Sequence, residues 1–313
     1  MKHKSAMWVL LTAILLISSQ FSIGCMALTQ AGEFSFKIER VDERVLVIQS
    51  QFWALNMIAI DAGEGLVVID SFALPQEAAE GRKIVEETFG KRVTHLINSH
   101  YHWDHTFGNQ AFANTTIIAH ELCVEDMRSE YSTREGAAAV FKRGEQAALP
   151  FDIDKFELTL PTVVYTRKKA FEIGDLTFVL YHQPGLHTRS HSTIHIPELG
   201  LVALRGEFHP GSLPALEEGI NLAQLIPDLE EILANEAGLK FIVQGHGDPY
   251  AGPGIDFHID YLKALQEATK KYKSSDSVQD SDFPEAAMKR IKSDAALSRR
   301  HRENLSVLFS QEK

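Results

Sequence analysis

The sequence contains very little cysteine. Only Cys25 and Cys123 occur in its 313 residues, which excludes a framework of several disulfide bonds. Such frameworks stabilise small secreted domains that cannot build a sufficient hydrophobic core. A chain of this length can bury a large core without them. With 44% apolar and 23% charged residues, the composition is typical of a globular protein.

The sequence also lacks an apolar run that is long enough to span a membrane. Its most apolar segment, Ala6 to Ile17, has about 12 residues, whereas a spanning helix needs about 20. Lys2 and Lys4 precede this segment, and small or polar residues follow it, as in a secretory signal peptide. We therefore expect residues 1–27 to direct export to the periplasm or the exterior. The alternative is a lipoprotein signal with lipid on Cys25, which would be the protein's one membrane attachment.

The sequence has no excess of positive charge. Its formal net charge is −11, and loss of Lys2 and Lys4 with the signal peptide would change it to −13. Nucleic-acid binding depends on clustered Lys and Arg, and a protein this acidic repels phosphate backbones. We expect a small-molecule substrate and no nucleic-acid partner.

Apolar and alternating segments predict two strand-rich halves with interspersed helices in one domain, residues 34–313. Two packed sheets flanked by helices would accommodate this order of elements. In the first half, Pro75 is expected to begin a helix that continues to about Phe89. The predicted strands are Phe34–Ile38, Val45–Gln49, Asn56–Ile60, Leu66–Asp70, Val93–Asn98, Val163–Thr166, Leu176–His182, Thr193–Ile196, Leu201–Leu204 and Phe241–Val243.

A cluster of metal-binding residue types follows the predicted strand Val93–Asn98. His100, His102, Asp104 and His105 lie within six residues, and alternate positions of an extended loop can direct imidazoles to one point. Imidazole and carboxylate are ligands suited to zinc. The pattern predicts one metal site at the first two histidines and the beginning of a second site at Asp104 and His105.

The same run, His-x-His-x-Asp-His after a strand, resembles the signature of the metallo-β-lactamase superfamily. The resemblance extends over about Val41 to Ala251. It implies an α/β fold, a four-layer αββα sandwich of two mixed β-sheets flanked by helices. It also implies a metal-dependent hydrolase with three further ligands downstream.

Two of these ligands are expected to be histidines. The third histidine of the family stands in a Pro-Gly-His-Thr segment, but here the segment Pro184–His191 has one extra residue before its first histidine. His187 and His191 therefore compete for the role; His187 is favoured because Thr188 follows it. The last family ligand matches His246, between Gly245 and Gly247.

The bridging ligand of the family is normally an Asp that follows Gly, whereas this sequence has Glu207 after Gly206. The resemblance then implies that Glu207 lies between two zinc ions. His100, His102 and His187 would hold the first, and Asp104, His105 and His246 the second. Because Glu is longer than Asp, the binding of a second ion is left open. Iron is also compatible with these ligands.

The expected reaction is attack of a metal-activated water on a carbonyl of an ester, lactone, thioester or lactam, with Asp104 steering the water. One alternative is a periplasmic metallo-β-lactamase proper. The other is a family member that binds metal or ligand without turnover, because Glu207 and the longer segment before His187 depart from the family pattern. Asp70, at the end of a predicted strand, is either a residue that orients a metal-binding histidine or a simple cap.

Overall fold

A computed structural model of the protein describes residues 26–31, 34–142, 148–209, 211–234, 238–251 and 255–311. Residues 1–25 of the predicted signal peptide, Cys25 among them, lie outside the described residues. Both interpretations of the N-terminus therefore stay predictions. Within the described ranges, no helix has the length and apolar character needed to cross a membrane.

The first sheet has eight strands in sequence order. The strands β1 to β5 pair antiparallel, and β5 to β8 pair parallel. All four residues of the fifth strand are buried, as is typical of parallel strands that are covered on both faces. The strands are β1 (Met26–Ala31), β2 (Phe34–Asp42), β3 (Val45–Ser50), β4 (Asn56–Asp61), β5 (Leu66–Ile69), β6 (Val93–Ile97), β7 (Thr116–His120) and β8 (Val163–Tyr165).

The second sheet has six strands in the order β14-β13-β12-β11-β10-β9. Among its described strands the β12·β13 pair is parallel and the other four pairs are antiparallel, so this sheet is mixed as well. Its strands are β9 (Lys169–Ile173), β10 (Leu176–His182), β11 (Ser192–Ile196), β12 (Leu201–Ala203), β13 (Phe241–Val243) and β14 (Tyr250–Ala251).

Helices cover the outer faces of the sheets. The helix α1 begins with Pro75 at its first position and ends before Gly90 in the left-handed conformation, which are the usual start and stop residues. The helices are α1 (Pro75–Phe89), α2 (Trp103–Thr106), α3 (Glu121–Tyr131), α4 (Arg134–Ala139), α5 (Leu222–Leu233), α6 (Asp256–Lys271), α7 (Glu285–Ser293) and α8 (Ala295–Ser310).

Four apolar cores hold these layers together. The smallest packs α3 against Phe107. Of the other three, one lies between the two sheets and contains Ile58, Val67 and Ile194. A second joins the first sheet to α1, and a third joins the second sheet to α5, α6 and α8. The predicted α/β sandwich of two mixed sheets between helices is confirmed.

Four strands were not predicted from the sequence. β7, β9 and β14 are short, and β9 (Lys169–Ile173) is mostly exposed with one lysine and one glutamate, so its apolar alternation is weak. β1 (Met26–Ala31) pairs with β2 and begins within the predicted signal peptide. The predicted strands are all present, with ends that differ by a few residues.

Glu77 in the first turn of α1 is a buried carboxylate. Its side chain is fully excluded from solvent and accepts a hydrogen bond from the Ser50 hydroxyl, but its Oε2 atom has no hydrogen-bond partner among the described residues. Burial raises the pKa of Glu77 to about 7, and Glu80 contributes to the increase. The charged form therefore destabilises the fold at neutral pH.

We expect Glu77→Gln to stabilise the protein at neutral pH but not in acid. The pKa rises from 4.5 unfolded to about 7 folded. Stability from the neutral carboxyl is therefore present below pH 4.5 and is lost as the pH rises through 7. Gln does not titrate, so the variant should gain about 3 kcal/mol above pH 7 at about 1.4 kcal/mol per pKa unit. Urea unfolding of both proteins across pH measures this difference.

Glu87→Gln is the control, because Glu87 lies on the same helix and is 67% exposed. Its effect should be small and nearly independent of pH. An equal stability difference for Glu77→Gln at low and neutral pH would contradict the assignment of a buried, titrating carboxylate.

Candidate metal centre

The predicted metal-binding run lies on the loop from β6 to α2. β6 ends at Ile97, and His100 follows in a fully buried position. The chain then enters α2, which carries Asp104 and His105. Asp104 and His105 are adjacent within this helix, whereas His100 and His102 precede it, His100 at a bend and His102 in extended backbone. The loop therefore presents its potential ligands in two separate directions.

One group of three histidines comes together at this loop. Each of His100, His102 and His187 offers one ring nitrogen, and these nitrogens lie within 4.8 Å of one another. His100 Nε2 is 3.1 Å from His102 Nδ1. His187 reaches the group from the loop after β10, so the first triad contains a ligand atom from each half of the chain.

A second group, Asp104, His105 and His246, has the same compactness. Asp104 Oδ2 lies 3.4 Å from His105 Nε2 and 3.3 Å from His246 Nε2. The two triads are neighbours, since the rings of His100 and His105 are 4.5 Å apart. The structure therefore brings together six of the seven predicted metal ligands.

Asp70 orients one histidine from each triad. This fully buried carboxylate lies 3.1 Å from His105 Nδ1 and accepts a hydrogen bond from the Ser99 hydroxyl. Because that hydroxyl donates to Asp70, its lone pair is free to accept from His100 Nδ1, 3.0 Å away. Both histidines then present an unprotonated Nε2 to their triads. Of the two roles predicted for Asp70, the contacts match the orienting one.

His246 is oriented by a backbone group. Its Nδ1 lies 3.0 Å from the Trp53 carbonyl oxygen, so Nδ1 donates there and Nε2 faces Asp104. Trp53 and Ala54 both have positive φ, 52° and 50°. Each such residue costs about 1 kcal/mol or more. Strain in this turn therefore accompanies the contact that fixes His246.

Burial keeps the histidines of the first triad neutral. It lowers the pKa of His102 to about 4 and that of His187 to about 3, and the pKa of His100 is also far below its usual value. Burial alone would raise the pKa of Asp104, but His105 and His246 hold it well below its usual range. At neutral pH the first triad thus offers neutral imidazole nitrogens, and Asp104 offers an ionised carboxylate, the forms that bind metal. In the second triad, burial would lower the pKa of His246, but its contact with Asp104 raises it.

His187, and not His191, completes the first triad. The longer segment before His187 is accommodated by a left-handed backbone, with φ of 74° at this residue. Its backbone N–H donates to the Ala215 carbonyl, and this hydrogen bond stabilises the strained turn. His191 is fully buried behind His100, with ring centroids 6.5 Å apart, and belongs to neither triad.

Glu207 does not join either triad in this structure. Gly206 and Glu207 have φ of 87° and 64°, and the carboxylate of Glu207 accepts a hydrogen bond of 2.9 Å from Arg300 on α8. The side chain is 49% exposed. This geometry does not support a bridging position for Glu207, which stays a prediction from the resemblance alone.

Two residues at the site were not predicted from the sequence, Ser99 and Arg205. Arg205 is only 2% exposed and pairs with Asp70, its Nη2 lying 2.6 Å from Oδ2. Although burial would raise the pKa of Asp70, Arg205 and His105 hold it well below its usual range. The sequence did contain a signal for Arg205, since it directly follows the apolar run Leu201–Leu204. A charge at the end of a buried strand needs a partner, which predicts a buried ion pair.

The donor set fits a transition metal ion. Five imidazoles and one carboxylate form two compact groups, and three of the imidazoles have a hydrogen bond that directs the other nitrogen to its triad. Such nitrogen and oxygen ligands suit zinc, and they suit iron as well. The residues present can therefore hold one ion in each triad.

Comparison with known proteins agrees with this geometry. Residues 52–203 match the family model described as Metallo-beta-lactamase superfamily. The chain is similar to the alpha subunit of 2,4-dinitroanisole O-demethylase from Nocardioides sp. (strain JS1661), with 31% identity over 36% of this chain and 37% of that subunit. It is 24% identical to the beta subunit over 74% of this chain and 67% of that subunit. It thus spans little more than a third of the alpha subunit.

Two solved structures have the same fold. A metallo-β-lactamase from Erythrobacter litoralis aligns with a TM-score of 0.52 at 18% identity, over 76% of this chain and 99% of that protein. A sec-alkylsulfatase from Pseudomonas sp. aligns with a TM-score of 0.60 at 16% identity, over 88% of this chain and 50% of that protein. Both structures bear out the fold, and the family model that matches residues 52–203 bears out the predicted superfamily.

Metal titration of three variants tests the ligand assignments. We expect His187→Ala to lower the zinc affinity of the first triad at least 100-fold, because one of three ligands is lost. His191→Ala is the matched control in the same segment and should keep the wild-type stoichiometry. Glu207→Gln should also keep it, since Glu207 pairs with Arg300. Loss of one equivalent of zinc in Glu207→Gln would support the bridging role of Glu207. Loss of zinc in His191→Ala but not in His187→Ala would show that His191 is the ligand.

Proposed function

We propose that this chain, a member of the metallo-β-lactamase superfamily, is a zinc-dependent hydrolase that binds two ions. The superfamily is one of mostly hydrolytic metalloenzymes. The proposal of a two-metal hydrolase rests on the pair of adjacent triads, which are His100, His102 and His187 beside Asp104, His105 and His246. Two metal positions this close can act on one substrate.

Bound zinc would polarise a substrate oxygen and lower the pKa of water to about 7. The protein's own contribution is to hold its ligands in one arrangement. Asp104 is ionised, and its Oδ2 faces the Nε2 atoms of His105 and His246. A carboxylate with such a low pKa is a weak general base. Its proposed roles are therefore to bind metal and to orient the attacking water.

The proposed substrate is a carbonyl compound, an ester, lactone, thioester or lactam. Aromatic rings beside the second triad favour a substrate with an apolar part. Trp103, between His102 and Asp104, packs edge to face against Trp53 with centroids 5.7 Å apart, and against Phe141 at 5.0 Å. These partly buried rings offer apolar surface close to the ligands.

A second candidate is cleavage of an aryl ether or a sulfate ester. It is supported by the names of the 2,4-dinitroanisole O-demethylase and the sec-alkylsulfatase and by the Trp53 and Trp103 rings. The third candidate is a periplasmic metallo-β-lactamase proper, and the fourth is a binding protein without turnover. One panel separates them, because a lactamase proper would hydrolyse the lactam alone and a binding protein would turn over none of the compounds.

The test is a panel of substrates assayed on zinc-loaded protein: a lactam, a lactone, an aryl ester, a thioester, 2,4-dinitroanisole and an alkyl sulfate. We expect hydrolysis of a carbonyl substrate, loss of activity on chelation and recovery with zinc. His102→Ala should reduce kcat/KM by at least 1,000-fold, because it removes a ligand of the first triad. His95→Ala, a histidine of β6 outside both triads, is the control.

Turnover of none of these compounds, with two zinc ions bound, would favour the binding protein. Activity that survives both chelation and His102→Ala would contradict the proposed metal chemistry. Turnover of the ether or the sulfate alone would establish the second candidate.

We also propose that the protein is exported, on the basis of Lys2, Lys4 and the apolar segment that follows them. The acidic charge supports a small-molecule substrate and argues against a nucleic-acid partner. Expression of the full chain in a bacterium, followed by fractionation and intact-mass measurement, tests the proposal. We expect the mass of a chain that begins at Leu28. A lipid adduct on Cys25 would establish the lipoprotein alternative, and an uncleaved cytoplasmic protein would contradict export.

A further inference from the structure

Arg205 is a buried cation without a role in either triad. It follows β12 at the end of an apolar run, and its side chain is 2% exposed. Its Nε and Nη2 lie 3.2 and 2.6 Å from Asp70 Oδ2, and its Nη1 donates to the Val243 carbonyl at 3.1 Å. Asp70 belongs to the first sheet's half of the chain, whereas Arg205 and Val243 belong to the second. The arginine therefore spans the two halves beneath the metal centre.

Arg205 and His105 contact the same atom, Asp70 Oδ2. Asp70 Oδ2 receives both Arg205 nitrogens and lies 3.1 Å from His105 Nδ1. The same oxygen accepts from the Ser99 hydroxyl, which contacts His100 Nδ1. The two guanidinium nitrogens converge on this one oxygen and fix its position from two directions, which a single ammonium does not do, while the Ser99 N–H donates to the other oxygen, Oδ1.

Arg205 also packs against the loop that carries His246. A Cβ atom at Gly245 would lie 2.8 Å from Arg205 Cδ and 3.0 Å from His105 Cε1. Glycine is therefore needed here for the close approach of both side chains. Arg205 thus lies between Asp70, which contacts His105, and Gly245, which precedes His246.

We infer that Arg205 is a positioning residue of the metal centre, which fixes through Asp70 the orientation and tautomer of one histidine in each triad. The inference rests on the proposed metal centre. With the fork in place, Asp70 Oδ2 accepts from His105 Nδ1, and Ser99 is held to accept from His100 Nδ1. Without it, Asp70 Oδ2 keeps only its contacts with Ser99 and His105, so this oxygen can shift and both Nε2 atoms lose their fixed direction.

The test uses Arg205→Lys, which keeps the positive charge but cannot make the fork and the Val243 contact together. Side-chain ¹⁵N NMR of the metal-free protein reports the tautomers. Wild type should show single Nδ1-protonated forms of His100 and His105, and the variant a mixture. Zinc affinity, measured by competition with a chelator, should fall about 10- to 100-fold, as it does when partners of metal ligands are lost.

Arg82→Lys is the matched control, because Arg82 is a largely buried arginine that binds Glu86, Asn114 and the Ala111 carbonyl away from the triads. It should change neither readout. Unchanged tautomers and zinc affinity in folded Arg205→Lys would overturn the inference, and so would equal effects of the two variants. If Arg205→Lys does not fold, Asp70→Asn/Arg205→Met removes both buried charges together. Retained tautomers and affinity in that variant would overturn it as well.

The tautomer readout needs neither metal nor substrate. A protein without hydrolytic activity but with tautomers that depend on Arg205 would contradict the proposed function and leave this inference standing. An active hydrolase whose tautomers are insensitive to Arg205→Lys would contradict the inference alone.

Discussion

The ion pair between Asp70 and Arg205 is the contact on which both the sandwich and the metal centre depend. Both side chains are at most 2% exposed, and removing two charges from water costs several kcal/mol each. That cost is offset here because the carboxylate also accepts from Ser99 and faces His105, while the guanidinium also donates to the Val243 carbonyl. Loss of one partner would leave a buried charge uncompensated. We therefore expect the pair to contribute more to the alignment of the two sheets than to net stability.

Backbone strain is concentrated around the same centre. Six residues other than glycine have positive φ, and the described residues include no others. Asp70 orients histidines, His187 is a potential ligand, and the Trp53 carbonyl contacts His246. Each left-handed residue costs about 1–3 kcal/mol and persists only where the surrounding structure enforces it. The apolar cores supply that enforcement, and they reach the site loops: Trp53 packs against one core, and Leu186, next to His187, belongs to another.

The parts of the structure that could be predicted are those encoded locally. The potential ligands within the six residues from His100 to His105 identify a metal loop. Pro75 identifies the first residue of a helix. The pairing of Asp70 with Arg205 could not be predicted, because 135 residues separate them and only the sandwich brings them together. Ser99 was missed for the same reason, since a serine before a histidine has no meaning until Asp70 lies behind it. The strands β7, β9 and β14 were missed because short or exposed strands have little periodicity.

Glu207 lies apart from the other ligands that the resemblance implies, and its bridging role stays a prediction. Its neighbours in the family pattern, His187 and His246, join the triads, but Glu207 turns to Arg300 on α8. The remaining donor set has one carboxylate among five imidazoles. The charge of Asp70 is balanced by Arg205 and so adds little to this set. If two divalent ions bind there as proposed, they would remain strongly positive and would stabilise an oxyanion that develops during the proposed hydrolysis. The departure at Glu207 thus weakens the case for a bridging carboxylate but not the case for electrostatic catalysis.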